Sequence, residues 1–475
     1  MGPAETLKEA SGKADIGGGK NGPPMSYGRT SSGNRKSRAG RLFPSGDTGS
    51  FGPMKPLLVA LLVALPLVAG AREPARFVDA ARNIEALVAL MDRRLALMPE
   101  VAAWKRARGQ PVADPAREKD LLDRWESSGA SLGVERVTAR NFLEAQIAAA
   151  REVQESLIAA WVAGGAAPPE ARDLERVLRP ELDRLGDELL AAMQRVASAG
   201  GNFRERETVT ARIETMRIRW SLSPELRDRL VKMIGDLRRT APASIAGLRR
   251  SGVVLVGLTG DYAPFSEESG GELRGLDVDL AREFASAHGL RAEFVRTTWT
   301  GLMDDLAAGR FDLAAGGISV TADRRTRAVF GPALLIDGKT PIARCADRER
   351  FASLEGVDQP GVRVIVNPGG TNERFARANL RRASIRVFPD NRTIFDEILE
   401  GRADVMITDG LEVRLQAARR PGLCGTRTEP FIRADKAWMF PPGAELVVWA
   451  ADWLRPRLGS GEIARRLDAV ITGRR

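Results

Sequence analysis

The strongest constraint on this chain is a change of texture near its middle. From about Arg72 to Ile245, apolar residues recur at three- and four-residue spacing, as in FVDAARNIEALVALMDRRLALM and ARNFLEAQIAAAREVQESLIAAW. That spacing is the signature of amphipathic helices. Breaks at GQPVADP, GASLG, GGAAPP and SAGGN divide the stretch into roughly six of them. After Arg250, short β-rich runs (VVLVGL, AEFV, VRVIVN, ADVMIT) alternate with helical segments, an α/β pattern with largely parallel sheets. Within it, LAAGRFDLAAGGI (Leu306–Ile318) and ILEGRADVMITDG (Ile398–Gly410) repeat one order, 92 residues apart: helix end, Gly-Arg, one residue, Asp, strand. A repeated helix-to-strand unit predicts two similar lobes with a ligand between the C-terminal ends of their strands. Two lobes around a cleft imply hinge closure. The expected fold class is therefore multidomain, with an all-helical domain over 72–245 and a two-lobed α/β domain over 246–475, its second lobe spanning about 341–435.

The segment before these domains has its own logic. Residues 1–53 are polar, Gly/Ser-rich and without periodicity, which predicts a disordered extension. From Met54 the chain reads MKPLLVALLVALPLVAGA: a lysine, an apolar run, then Ala69-Gly70-Ala71. This is the form of a secretory signal peptide over 54–71, too short for a comfortable membrane span, so the membrane is met only in transit. A retained anchor is the alternative. An export signal works at the beginning of a chain, which makes Met54 the expected start and Arg72 the expected mature terminus.

Charge and cysteines narrow the function. The formal net charge is +10, but half of the surplus lies in residues 1–71 (nine Lys/Arg against four Asp/Glu) and no basic–aromatic recognition run follows, so nucleic acid is not an expected partner. Arginine-lined pockets suit small anions equally well. Cys345 and Cys424 would pair in an oxidising compartment, or stay as two buried thiols. One histidine, His288, and two distant cysteines make a zinc site or a His-based triad improbable. NPGGTNERFARANLR (Asn367–Arg381) leads two glycines and a threonine into a helix, the form of an anion-binding turn, without the lysine of a nucleotide loop.

Several phrases of the second half, read together, are family-specific: TGDYAPF, GLDVDLAREFA, TTWTGLMDDL, GGISVTADRR, DGKTPI, NPGGTNERFARANL and DNRTIFDEILEGRADVMITDGLEVRLQ. They resemble cyclohexadienyl dehydratase, densely from Val253 to Cys424 and more loosely beyond. The resemblance implies the fold of periplasmic amino-acid-binding proteins, a periplasmic location and a reaction without a cofactor. In that reaction prephenate or arogenate loses its ring hydroxyl and CO2 together and becomes aromatic. The chemistry needs an acid for the leaving hydroxyl and cations or N–H donors for carboxylates. The resemblance assigns the acid to Glu412 of TDGLEVR, a carboxylate to Arg324 of TADRR, and contacts from the second lobe to Thr371 and Asn372. To act near neutral pH, Glu412 must be buried strongly enough to beat the helix dipole; otherwise it is an exposed first-turn glutamate. Lys339 of DGKTPI is a second electrostatic contact or a solvated loop lysine. Tyr262 and Trp299 line the pocket or belong to the core.

The helical half resembles the exported, all-helical class of chorismate mutases, clearly from Ile84 to Trp161. The spacing Arg94, Lys105, Arg117, Gln154 carries the resemblance. Arg94 and Lys105, about three helical turns apart, share one stripe, with Pro99 able to bend the helix between them. DPARE reads as a helix start, with Asp114 as N-cap and Pro115 at the first position, which puts Arg117 and Glu118 in the first turn. Chorismate rearranges by a pericyclic step, so the site must hold a compact conformer and stabilise charge on the ether oxygen. The resemblance implies that Arg94 and Arg117 clamp carboxylates, that Lys105 and Gln154 donate to the ether oxygen, and that Glu118 takes the hydroxyl, with Asp114 a weaker candidate. Arg179 is the candidate for a further recruited arginine, and Ala150 stands where relatives carry a small hydroxyl residue. A homodimer through the helical half is also implied.

One half would then make the other's substrate, and the expected whole is an exported enzyme running chorismate through prephenate to phenylpyruvate. Two competitors remain open at this point. One is a periplasmic receptor for an amino acid or aromatic acid, fused to a helical dimerisation module. The other is a chain whose helical half has lost its activity.

Overall fold

The computed structural model describes residues 74–198 and 206–473. The expected extension 1–53, the expected signal peptide 54–71 and all but the first residue of the SAGGN break lie outside the described residues. Among the described residues no helix is long and apolar enough to cross a membrane.

The helical half holds α1 (Ala80–Leu95), α2 (Met98–Ala107), α3 (Pro115–Ser131), α4 (Arg136–Val162), α5 (Arg179–Ser198), α6 (Arg206–Trp220) and α7 (Pro224–Gly235). Two helices, not one, carry Arg94 and Lys105. Pro99 sits in the first turn of α2, where its missing N–H is no loss. Continued as one helix, its ring would press on the carbonyl of Leu95, and α1 ends at that residue. The DPARE reading holds: Asp114 caps α3, accepting from Arg117 N–H at 3.2 Å, with Pro115 first in the helix. Leu87, Met91, Phe142, Leu189 and Leu230 form the centre of the bundle core, each contributing about 1.5–3 kcal/mol by burial.

A short helix, α8 (Ile245–Ser251), ends at left-handed Gly252 and delivers the chain into β1 (Val253–Leu258). A small antiparallel sheet follows, β2 (Asp261–Tyr262), β3 (Ser266–Ser269) and β4 (Glu272–Arg274). The remaining strands are β5 (Arg291–Arg296), β6 (Leu313–Ala314), β7 (Val329–Leu335), β8 (Lys339–Arg344), β9 (Arg363–Val366), β10 (Ser384–Val387), β11 (Val405–Asp409), β12 (Leu423–Gly425) and β13 (Lys436–Phe440). They form two five-stranded sheets, ordered β5-β1-β6-β13-β7 and β10-β9-β11-β8-β12.

The two sheets are built alike, and neither is largely parallel. In each, two neighbouring pairs are parallel and two are antiparallel. The cause is the crossover. Each edge strand, β7 or β12, hands the chain to the fourth strand of the other sheet, β8 or β13, which enters running the opposite way. Cys345 and Cys424 are bonded to each other beside the antiparallel pair β8–β12.

The internal echo occupies equivalent places. β6 and β11 are the third strands of their sheets, and the aspartate before each pins the neighbouring strand. Asp312 accepts from Leu255 N–H (2.9 Å) and Asp404 from Arg363 N–H (2.8 Å). Asp312 has a second task. It also accepts from Ala243 N–H (2.8 Å) and from Arg239 Nη2 (2.6 Å), an ion pair with no solvent exposure on either side chain. The segment carrying Arg239 runs between the bundle and the first lobe: Thr240 N–H donates to Gly133 O, and a Cβ at Gly309 would strike the Ala241 backbone at 2.6 Å. The bundle is therefore anchored on the first lobe.

Candidate active sites in the bundle and the cleft

The cleft between the sheets is built from strand ends and the turns that follow them. Asp277, in the helix Leu276–Ala287, accepts from Gly316 and Gly317 N–H (2.7 and 2.8 Å) and from Trp438 Nε1 (2.9 Å). That fixes the loop leading to Ser319 and the helical turn Ala322–Arg325. Arg324 is buried there, its Nη1 donating to Ser319 O at 2.8 Å, while its Nε has no hydrogen-bond partner. Burial, then the nearby Arg374, lowers its pKa to about 10, so it remains a cation at neutral pH.

Glu412 is third in the helix Gly410–Arg419, directly after β11, and is 2% exposed. Thr408 Oγ1 donates to its carboxyl. Burial pushes its pKa up to about 8, against the pull of that hydrogen bond. Glu412 thus carries a proton at neutral pH.

Beside it, Asp409 collects cations and a phenol. Lys339 Nζ donates to its Oδ1 at 2.7 Å, while Tyr262 Oη (2.6 Å) and Lys436 Nζ both donate to its Oδ2. Burial raises the Asp409 pKa, but the Lys339 and Lys436 ammoniums outweigh it and hold the group ionised below the usual carboxylate range. Burial pushes the Tyr262 phenol well up and the Lys339 ammonium down. Three cations (Arg324, Lys339, Lys436) against Asp409 and, behind it, Asp337 leave the cleft with a positive excess, which suits an anionic guest.

Lys339 is no loop lysine: it begins β8, is 1% exposed, and also donates to Thr371 Oγ1 (2.8 Å) and Asn372 Oδ1. Asn372 is committed at both ends, its Nδ2 donating to Asn367 and to Thr408, both at 3.0 Å. Thr371 starts the helix Thr371–Asn379 and faces the cleft, as do Tyr262 and Trp299. The turn before that helix is partly self-satisfied, since Gly369 N–H donates to Glu373 at 2.7 Å. The cleft is nearly shut, with a cavity of about 20 Å³.

The bundle holds a second and larger cavity, about 490 Å³, lined by Arg94, Lys105, Arg117, Glu118, Gln154 and Arg179 among others. All the candidates of the helical half are brought together there. Arg94 Nη1 donates to Gln146 O (3.1 Å) and Lys105 Nζ to Val112 O, neither meeting a carboxylate. Burial lowers the Arg94 pKa to about 10 and lowers that of Lys105 as well. Gln154 Nε2 donates to Ala150 O at 2.9 Å. The other charges are paired across the cavity: Arg117 with Asp183 (2.8 Å), Arg179 with Asp114 (3.0 Å), and Glu118 with Arg151 Nε (2.9 Å).

Several residues escaped the sequence reading. Asp409 stood in the quoted echo, where it aligns with Gly317, so the mismatch itself was the available signal. Lys436 comes from β13, beyond the dense part of the resemblance. Arg151 and Asp183 became visible only as partners of Glu118 and Arg117. Arg250, on α8, reaches the rim of the bundle cavity. Among the described residues no group of three or more His, Cys, Asp or Glu could hold a metal ion.

Comparisons with known proteins fall along the same division. The family model of bacterial extracellular solute-binding proteins, family 3, matches residues 254–411, and that of chorismate mutase type II matches residues 85–155. The cyclohexadienyl dehydratase of Pseudomonas aeruginosa is 44% identical over 249 residues, spanning 50% of this chain and 92% of its own. The histidine-binding periplasmic protein of Escherichia coli is 28% identical over 175 residues, spanning 36% of this chain and 65% of its own. Among solved structures, an ancestral amino acid-binding protein described as a precursor of cyclohexadienyl dehydratase is 29% identical. It covers 48% of this chain and 98% of its own, with a TM-score of 0.44.

Proposed function

Because the second half of this chain belongs to the cyclohexadienyl dehydratase family and the first half carries a type II chorismate mutase domain, we propose that one protein runs both reactions. Chorismate rearranges to prephenate in the bundle cavity. Prephenate, or arogenate, becomes phenylpyruvate, or phenylalanine, in the cleft.

The observation that carries the reading is Glu412, a buried carboxyl with its pKa raised to about 8, set among cations. It gives its proton to the ring hydroxyl, which leaves as water. The ring carboxylate departs as CO2, and the electron pair of the broken C–C bond completes the aromatic ring. Glu412 then recovers a proton from solvent. Arg324 binds one carboxylate, and Lys339 and Lys436 offset the charge of the other. In the bundle, Arg94 and Arg117 hold the two carboxylates of chorismate, while Lys105 and Gln154 donate to the ether oxygen as its bond to the ring breaks. Neither reaction, so written, calls for a cofactor. Export to the periplasm and a homodimer through the bundle complete the proposal.

The test uses residues 72–475 given chorismate, with prephenate as a parallel substrate and no added cofactor or metal. Loss of chorismate and appearance of phenylpyruvate are expected. Turnover of prephenate alone would reduce the bundle to a scaffold. The solute-binding family match favours one competitor, a receptor. Tight prephenate binding without turnover, left intact in Glu412→Gln, would establish that reading instead.

A further inference from the structure

We infer that Phe77, which lies inside the stretch expected to be helical but precedes α1 and joins the first lobe instead, is a positioning residue for closure of the cleft. The inference rests on the dehydratase reading above. Residues 75–78 lie on the first lobe as an added edge: Leu273 N–H donates to Ala75 O (2.6 Å) and Val78 N–H to Phe294 O (2.8 Å). Between these two anchors, the Phe77 ring packs against the backbone of Gly260, so closely that a Cβ there would lie 2.8 Å from it. Arg296 covers the same ring, 3.9 Å from its centroid, and pairs with Glu268 at 2.6 Å. Glu268 N–H returns to Gly260 O at 2.9 Å. Phe77, Arg296, Glu268 and Gly260 therefore form a closed brace.

What the brace holds is the next two residues. Asp261 accepts from Trp299 Nε1 through its carboxylate (3.1 Å), and its carbonyl accepts from Asn391 Nδ2 of the second lobe (3.0 Å). Tyr262 donates to Asp409 of the second lobe. The contacts with Asn391 and Asp409 draw the lobes together. Gly260, at φ +72°, is the residue with the most freedom to lose when they form. A ring seated on it removes that freedom in advance and shifts the open–closed balance toward closed. Once the cleft is shut, the reacting groups are placed the same way with or without the ring.

Phe77→Ala is thus expected to raise KM for prephenate about 5–10-fold, since apparent affinity scales with the closed fraction. It should leave kcat within about twofold and the mutase rate unchanged. Phe77→Leu, which keeps an apolar body over Gly260, should restore most of the KM. Amide hydrogen exchange over residues 260–265 should quicken in Phe77→Ala while the bundle core stays as slow as in the parent. An unchanged KM overturns the inference, whatever the exchange shows. So does a matched fall of both activities with exchange rising everywhere, which would make the ring a general stabiliser. If the parent protein turns over no prephenate, the functional reading fails separately, and the exchange comparison still decides the brace.

Discussion

The two candidate sites differ in openness and in what their charges do. The bundle cavity is about 490 Å³ and stands ready, with three ion pairs fixed in it and Arg94 and Lys105 held only by backbone carbonyls. The cleft is about 20 Å³, shut over one shared carboxylate, Asp409, and must open to admit anything. Perturbed pKa values divide the same way. In the bundle, burial lowers Arg94 and Lys105, and Arg94, at about 10, stays a cation at neutral pH. In the cleft, Glu412 is moved to about 8, across neutrality. A pericyclic step asks a protein only to hold shape and charge, whereas an elimination asks it to deliver a proton. The difference teaches that group-by-group chemistry, more than fold, decides where a protein tolerates a displaced pKa.

That contrast can be broken at its strongest point first. Glu412→Gln should lower dehydratase kcat about 10²–10⁴-fold and leave mutase turnover unchanged; both rates are read on the same sample. Arg94→Ala should lower mutase kcat/KM about 10²–10³-fold with prephenate turnover intact. A loss of both activities in either variant would mean that the sites are not independent. In pH profiles, dehydratase rate should fall roughly tenfold per unit above pH 8 as Glu412 ionises, whereas mutase rate stays level through neutrality because Gln154 cannot titrate, and falls only where Lys105, lowered by burial, loses its proton. Stability sharpens the same assignment. The Glu412 pKa is raised from 4.5 to about 8 on folding. The unfolded chain therefore loses this proton first, and stability falls as pH rises between those values. Melting curves should show wild type losing about 5–10 °C relative to Glu412→Gln between the ends of that window. The smallest effect expected is at Ala150, where Ala150→Ser should raise mutase turnover up to about fivefold by supplying one hydrogen bond.

Legibility in the sequence followed the range of the interactions. The two-lobe plan was readable because the echo repeats a local unit, helix end to strand, and each copy's aspartate serves the strand beside it. The cap at Asp114 and the placement of Glu412 after a strand are local too. The break between Arg94 and Lys105 was half visible. Pro99 announced strain, but whether the helix bends or restarts depends on packing around Met98, which is buried in the core. The antiparallel pairs were invisible because crossovers between lobes leave no periodic mark. The Asp409 cluster joins residues from β2, β8, β11 and β13, so no single stretch could announce it. The cysteines, 79 residues apart, left pairing and two buried thiols both open, and what joins them is β12 lying along β8.

The buried pair Arg239–Asp312 bears on how such a chain can be inherited. Fused enzymes are often pictured as beads on a string, free to be separated or exchanged by recombination. Here a cut between the halves would break an ion pair that has no solvent exposure on either side chain and bare the surfaces that cover it. A descendant that discarded the bundle would leave Asp312 without its guanidinium, and the same aspartate pins β1 through Leu255. The bundle and the first lobe are thereby a single heritable piece, and the junction works as a ratchet against taking the fusion apart.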